Sequence, residues 1–388
     1  MADYRSGMHV NPVLTSLGTY PMEPLQKMAR AMRAAGETLI DFSLGDPREP
    51  TPSFIPAALK AAVPEVSQYP TTTGLPELRT AVAAYVRRRF GVTVDPATQV
   101  LATAGSKEAI FSTPLAFVNR DSGDGVIWPT PAYPAYERGA LLAGAIPMPI
   151  RLDGSFVLRP GQIDDDAWAK ASMLWVNYPH NPTGAVATLD ELAAIHDRAR
   201  ATDTLICSDE CYADVYEFEP PPSMLQVADE DLSGLLVYLS LSKRSGMTGY
   251  RSAAIIGDVD AIGVLRKLRS STGTAAPEFV QVAAIAAWSD DAHVAVRRAV
   301  FSEKRAVLRK AFEDFGYRVA ASEGALYLWV EVGDDAAVAK RLLEYGVVVS
   351  PGRAFGAGGE GYIRLALVPT VEECGAAVEV LRSCLTGN

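Results

Sequence analysis

The sequence predicts an α/β protein: a large, mainly parallel sheet covered by helices on both faces, followed by a smaller α+β unit. Three observations lead there. Between Gln99 and about Leu241, short apolar runs alternate with segments of helical spacing, as expected of parallel strands joined by crossover helices. From about Ala287 the order changes to one long helical stretch followed by further strands. The 388 residues also exceed what one ordinary core holds, so two folding units are expected.

Pro21 to Ala35 (PMEPLQKMARAMRAA) opens on proline and spaces Leu25, Met28 and Met32 along one face, predicting a helix that Gly36 ends. LIDFSLGDPREPTP follows as a short strand running into a Gly and Pro loop. Pro76 to Phe90 (PELRTAVAAYVRRRF) is a second proline-led helix, closed by Gly91. The alternating part contains strand VLAT, a helix from near Gly105, strand DGVIW, helix AYPAYERGALLAG, strands IPMPI and MLWVN, helix TLDELAAIHDRARA, and strands TLICSDE and LLVYLSL. Sheets of this kind bind ligands beyond the carboxyl ends of their strands, so candidate chemistry is sought there.

Asp291 to Phe315 reads as one long helix. Strand LYLWVEV, helix AAVAKRLLEYG, strands VVVS and YIRLALV, and a final helix TVEECGAAVEVLRSCL complete the chain. With no repeat and no low-complexity linker, the two units are expected to share the long helix. The expected division is an N-terminal arm with part of the small unit at 1–45, the large unit at 46–286 and the small C-terminal unit at 287–388.

Hydrophobic content of 48% with 21% charged residues is that of a globular protein. The 36 basic residues against 46 acidic ones argue against nonspecific affinity for nucleic acid or an anionic membrane. The longest charge-free run, Ala171 to Leu189, contains Pro179, His180, Asn181, Pro182 and Gly184, which a spanning helix would not tolerate. MADYRSGMHV lacks an apolar signal core, so a cytoplasmic location is expected. Cys207, Cys211, Cys374 and Cys384 are too scattered for a disulfide framework or a metal site and are expected as buried thiols.

Five features carry possible chemistry. Gly105-Ser106-Lys107 lies between a strand and a helix, where a hydroxyl and backbone amides can hold a phosphate or simply cap the helix. Asn181-Pro182-Thr183-Gly184 follows strand MLWVN; alone it is only a turn. Asp209-Glu210-Cys211-Tyr212 puts two acids at the end of a buried strand, where they need partners or exposure. Lys243 lies just past the apolar run LLVYL, with Ser240 and Ser242 beside it and Arg251 eight positions on. Arg364 sits in the apolar strand YIRLALV, where a carboxylate ligand or an internal salt bridge would explain it. Gly356-Ala-Gly358-Gly-Glu-Gly361 fits a dinucleotide pattern but opens no helix, so it is read as a glycine loop.

A phosphate turn, an Asn, an Asp, a Lys and an Arg on successive strand ends match what pyridoxal 5'-phosphate requires: groups for its phosphate, phenolic oxygen, ring nitrogen and aldehyde. On NPTG, DECY and SLSK with its following arginine, the chain resembles the class I/II aminotransferases of the fold type I pyridoxal phosphate enzymes over nearly its whole length. That resemblance implies a seven-stranded large sheet. It also implies that Lys243 condenses with the cofactor and then moves the substrate proton. Asp209 would pair with the pyridine nitrogen, and Asn181 and Tyr212 would hydrogen-bond the phenolic oxygen, making Lys243, Asp209 and Tyr212 the catalytic set.

The same resemblance assigns Gly105, Ser106, Lys107, Ser240 and Arg251 to the phosphate and Tyr133 to stacking on the ring. Tyr69 would reach the phosphate of a neighbouring subunit, implying a homodimer with shared sites. Arg364, with Gly45 and Asn181 nearby, would bind the substrate α-carboxylate.

Within the family, SLSKRSGMTGYRS, PEFVQVAAIAAWSDDAHV and DPATQVL are most similar to the succinyldiaminopimelate aminotransferases of bacterial lysine biosynthesis, which use glutamate and 2-oxoglutarate as the other pair. Arg48 is the candidate for a distal substrate carboxylate, and Leu326 stands where relatives often carry an aromatic residue. The alternatives are an aminotransferase for alanine, aspartate or LL-diaminopimelate, a carbon-sulfur β-lyase, or an aminotransferase-like regulator. The last would need a basic DNA-binding module, for which the sequence before the first family strand near residue 39 leaves no room.

Overall fold

Most of the apolar runs form strands because they are buried on both faces, which favours pairing on either side over exposure; Ile146–Arg151, at the sheet edge, is largely exposed. A computed structural model describes residues 9–17 and 22–385. In chain order the strands are β1 (Ile40–Asp41), β2 (Val100–Thr103), β3 (Gly125–Thr130), β4 (Ile146–Arg151), β5 (Ala171–Asn177), β6 (Leu205–Asp209) and β7 (Leu235–Ser240). They continue as β8 (Ala253–Gly257), β9 (Val319–Ala320), β10 (Tyr327–Glu331), β11 (Val347–Val348), β12 (Ser350–Pro351) and β13 (Tyr362–Ala366).

A seven-stranded sheet runs β2-β8-β7-β6-β5-β3-β4. Only β8 is antiparallel to its neighbours in this sheet. The reversal matters for the site: the start of β8, just after Arg251, lies at the same sheet edge as the carboxyl ends of the parallel strands. Beneath that edge, Trp175, Tyr136 and Tyr238 pack together; the first two are stacked at 5.1 Å between ring centroids.

The smaller unit is a four-stranded antiparallel sheet, β12-β13-β10-β9. The helix Ala292–Asp314 packs against the final helix Val371–Leu385 and against β10. β1 pairs in parallel with β11, Ile40 opposite Val347, so the early chain is fastened to the late chain.

Several expectations meet the structure closely. The helix Pro76–Phe90 has the expected ends, with Gly91 in the left-handed conformation that closes it. Pro21 lies outside the described residues; the helix there spans Glu23–Ala34. The helix after Gly105 is shorter than expected, ending at Ser112 before Pro114 starts a separate turn. VVVS divides into β11 and β12. Strand β8 and the helices Phe54–Ala61, Val259–Thr272 and Glu278–Ser289 have no counterpart in the sequence reading. Among the described residues no helix is long and apolar enough to cross a membrane, and no group of His, Cys, Asp or Glu side chains could hold a metal ion.

Candidate active site

Strand register brings the chemistry together. Asn177 at the end of β5 is opposite Asp209 at the end of β6, which is opposite Tyr238 near the end of β7. Beyond these ends lies a cavity of about 250 Å³. Of the residues proposed for the site, Gly45, Ser106, Lys107, Tyr133, Asn181, Asp209, Tyr212, Ser240, Lys243, Arg251 and Arg364 all line it. Gly105 lies directly under the Arg251 guanidinium.

Lys243 sits on the short helix Leu241–Arg244, whose start is capped by Ser240: its Oγ accepts from the Ser242 amide at 3.1 Å. The Lys243 Nζ donates to the Gly45 carbonyl. Burial lowers its pKa to about 8; nearby Asp46 opposes this shift, while Arg251 and Arg364 add to it. The amine is therefore neutral in a useful fraction of molecules near neutral pH.

Asp209 is buried, which raises its carboxyl pKa. Hydrogen bonds from the Tyr136 hydroxyl at 2.7 Å and the Cys211 amide at 3.2 Å hold the charged form. Among the described residues no basic side chain forms an ion pair with it. The adjacent acid has a separate environment: Glu210 accepts from Ser208 and the Met224 amide, and burial raises it to about 7. Asn177 ties the two strand ends together, donating to the Asp209 carbonyl at 2.7 Å and accepting from the Asn181 amide at 2.8 Å.

Arg251 and Gly105 form a cradle. Arg251 adopts φ +56°, a left-handed conformation that few non-glycine residues take. Gly105 has φ +90°, and a Cβ there would lie 2.3 Å from the Arg251 Nη2. The absence of a side chain at 105 is what lets the guanidinium lie across the turn that begins the Ser106–Ser112 helix.

Arg364 is 6% exposed and is sandwiched by the rings of Tyr327 and Phe355, each 4.4 Å away. It donates to the Asn181 Oδ1 at 3.0 Å and the Ser43 carbonyl at 2.7 Å, leaving its Nε without a partner. A buried guanidinium with no carboxylate among the described residues calls for an anionic ligand.

Two expectations need correction. Arg48 does not line the cavity; it forms an ion pair with Glu373. Leu326 lies in the core of the small unit, and the neighbouring Tyr327 supplies an aromatic ring to the cavity instead. Tyr69, assigned to a neighbouring subunit's site and not to this one, is wholly exposed and outside this cavity. The Tyr212 hydroxyl is 2.6 Å from the Tyr327 hydroxyl. Gly45 makes room for that pair, since a Cβ there would lie 2.7 Å from the Tyr327 Oη. Tyr327, Tyr136 and Ser43 escape the sequence reading because their roles depend on contacts between distant segments. Helical spacing could have placed Tyr136 on the inner face, but nothing local marks its partner.

The residues fit pyridoxal phosphate on these observations. The Gly105 and Arg251 cradle, with the Ser106 and Ser240 hydroxyls, offers cationic and hydroxyl donors suited to a phosphate. Buried Asp209 offers an anion for a protonated ring nitrogen, and Lys243 has the lowered pKa that condensation with an aldehyde requires.

Comparison with known proteins agrees with this geometry. An LL-diaminopimelate aminotransferase of Aquifex aeolicus is 36% identical over 381 residues, covering 95% of this chain and 97% of that protein. A crystal structure of an aminotransferase from Neisseria meningitidis superposes with a TM-score of 0.89 at 34% identity, covering 97% of this chain and all of that one (100%). A probable N-succinyldiaminopimelate aminotransferase from Thermus thermophilus superposes with a TM-score of 0.88 at 27% identity, covering 94% of this chain and 100% of that one. Residues 37–381 match the family described as aminotransferase class I and II; the chain belongs to that family and is a pyridoxal phosphate-dependent aminotransferase.

Proposed function

We propose that this aminotransferase acts on a donor with the diaminopimelate skeleton, N-succinyl-LL-2,6-diaminopimelate, with 2-oxoglutarate as acceptor. The observation that carries the reading is room: a second cavity of about 490 Å³ adjoins the site and shares Tyr133, Pro134 and Phe355 with it. That volume suits a long, acylated side chain better than the methyl group of alanine. The Thermus thermophilus structure named for the succinyl substrate supports the same reading. A second reading, free LL-diaminopimelate, is favoured by the name of the Aquifex aeolicus relative.

The roles proposed for the residues follow from their surroundings. Bound pyridoxal phosphate supplies an electrophilic aldehyde and a ring that accepts electrons when its nitrogen is protonated. Asp209 holds the ring nitrogen protonated. Ser106, Ser240 and Arg251 bind the phosphate, with Gly105 keeping the cradle open and Lys107 contributing through its backbone. Tyr133 covers the ring; Asn181 and Tyr212 orient its phenolic oxygen. Arg364 holds the donor's α-carboxylate beside Gly45 and Asn181. Lys243 would act as the base that takes the proton from the donor α-carbon and holds it for return.

The active unit is proposed to be a homodimer in the cytoplasm, with Tyr69 of each chain serving the partner's site. The large unit is proposed to span 46–286, with 1–45 and 287–388 forming the arm and small unit. A single-turnover screen tests the substrate: donors including N-succinyl-diaminopimelate and free diaminopimelate are mixed with the loaded enzyme, and the cofactor absorbance is followed. Fastest conversion of the succinylated donor is expected; fast turnover of alanine or aspartate with no response to either diaminopimelate donor overturns the proposal.

A further inference from the structure

With Arg48 paired elsewhere, another group must meet the far end of a long anionic donor. The adjoining chamber carries three arginines on its wall: Arg138, Arg151 and Arg353. Arg353 is already neutralised, since its guanidinium meets the buried carboxylate of Asp335 at 2.7 Å. Arg151 has no ion pair among the described residues. It ends β4, directly opposite Thr130 of β3.

The glycine loop that fits a dinucleotide pattern without its helix forms the other side. Thr130 donates to the Ala357 carbonyl at 2.9 Å, holding the loop against β3. A Cβ at Gly356 would lie 2.6 Å from the Thr130 Oγ1, and one at Gly358 would lie 3.4 Å from the Arg151 Cγ. Both glycines have positive φ, 102° and 86°. These positions therefore need glycine for the loop to lie over the arginine stem. The exposed Arg151 side chain lies along this loop, with its Nε 3.5 Å from a Gly358 Cβ as well, and it lines the chamber. The acids nearby are Glu137 on the same wall and Glu360, whose carboxylate accepts from the Gly358 amide.

We infer that Arg151, held under the Gly356–Gly359 loop, binds the distal anionic group of the donor and selects long side chains that end in a carboxylate. The inference rests on the proposed function and adds the residue that reads the far end. A guanidinium suits this task because it bonds a carboxylate through two parallel donors. The chamber and the cavity share Tyr133, Pro134 and Phe355 in their walls, so the proposed donor, held by Arg364 at one end, would extend past these side chains toward Arg151.

The test compares L-2-aminopimelate, which has a distal carboxylate, with L-2-aminoheptanoate, which lacks one. The wild-type holoenzyme should prefer 2-aminopimelate, and Arg151→Gln should reduce that preference in kcat/KM by about tenfold or more, mainly through KM. Arg151→Lys should restore part of it. Equal use of the two probes by the wild type, use of neither, or a preference unchanged in Arg151→Gln would overturn the inference. Failure of the parent reading looks different: neither diaminopimelate donor reacts, yet the Arg151-dependent preference for 2-aminopimelate persists.

Discussion

The Tyr136 hydroxyl donates a 2.7 Å hydrogen bond to Oδ2 of Asp209, at the bottom of the cavity. Burial raises the Asp209 pKa and this hydrogen bond lowers it, so the tyrosine helps keep the acid ionised. Tyr136→Phe should push that pKa higher and weaken the hold on a protonated pyridine. A hydrogen bond to a charged group contributes roughly 1.5–3 kcal/mol, so the dissociation constant for pyridoxal phosphate should rise by about tenfold or more. Equilibrium dialysis checks this; unchanged retention would confine Tyr136 to packing against Trp175.

Lys243 makes a prediction about pH. Its pKa is lowered to about 8, and only the neutral amine attacks an aldehyde. Uptake of pyridoxal phosphate by the cofactor-free protein should therefore speed up as pH rises toward 8 and level off above it. The stability effect has the same sign. Because the folded pKa lies below the ordinary lysine value, the unfolded chain binds more protons between the two, and this group's contribution rises with pH across that window. A rate that keeps climbing to the ordinary lysine range would contradict the lowered pKa.

Arg364 should matter to every amino acid donor, since all share the α-carboxylate. Arg364→Ala removes a charged contact of roughly 1.5–3 kcal/mol and should raise KM by about tenfold or more for donors of any side chain. Steady-state kinetics with two unlike donors decide it. No change in either KM would return Arg364 to a structural part between Tyr327 and Phe355.

Gly105→Ala tests the phosphate cradle. The new methyl would lie 2.3 Å from the Arg251 Nη2, at a φ of +90°. Left-handed strain of roughly 1–2 kcal/mol should lower the melting temperature by a few degrees. Displacement of the guanidinium should also weaken cofactor binding. Wild-type cofactor affinity in this variant would show that Arg251 does not depend on the open turn.

The sequence made some of this legible and hid the rest for physical reasons. Asn181, Asp209, Ser240 and Lys243 lie at or just beyond the ends of apolar strands, so the run of hydrophobic residues announces them, and the structure gathers them around one cavity. The helix Pro76–Phe90 is legible because proline and glycine mark its two ends. Tyr136 and Tyr327 are not: one acts through an acid on a neighbouring strand and the other through a tyrosine 115 positions away. Arg48 misleads because closeness in sequence to Gly45 is not closeness in space; the side chain instead meets Glu373. The helix Val259–Thr272 begins after Asp258, whose side chain caps it, and Ala261, Val264, Leu265 and Leu268 stand at helical spacing, a signal present in the sequence and passed over.

The central claim is that Lys243 is the residue that condenses with pyridoxal phosphate, and borohydride tests it most directly. Reduction of the loaded protein, digestion and mass spectrometry should find the pyridoxyl mass on the peptide carrying Lys243, and Lys243→Ala should bind the cofactor without becoming labelled. A label on Lys107 or another lysine of the wild type, or undiminished labelling of Lys243→Ala, would contradict it.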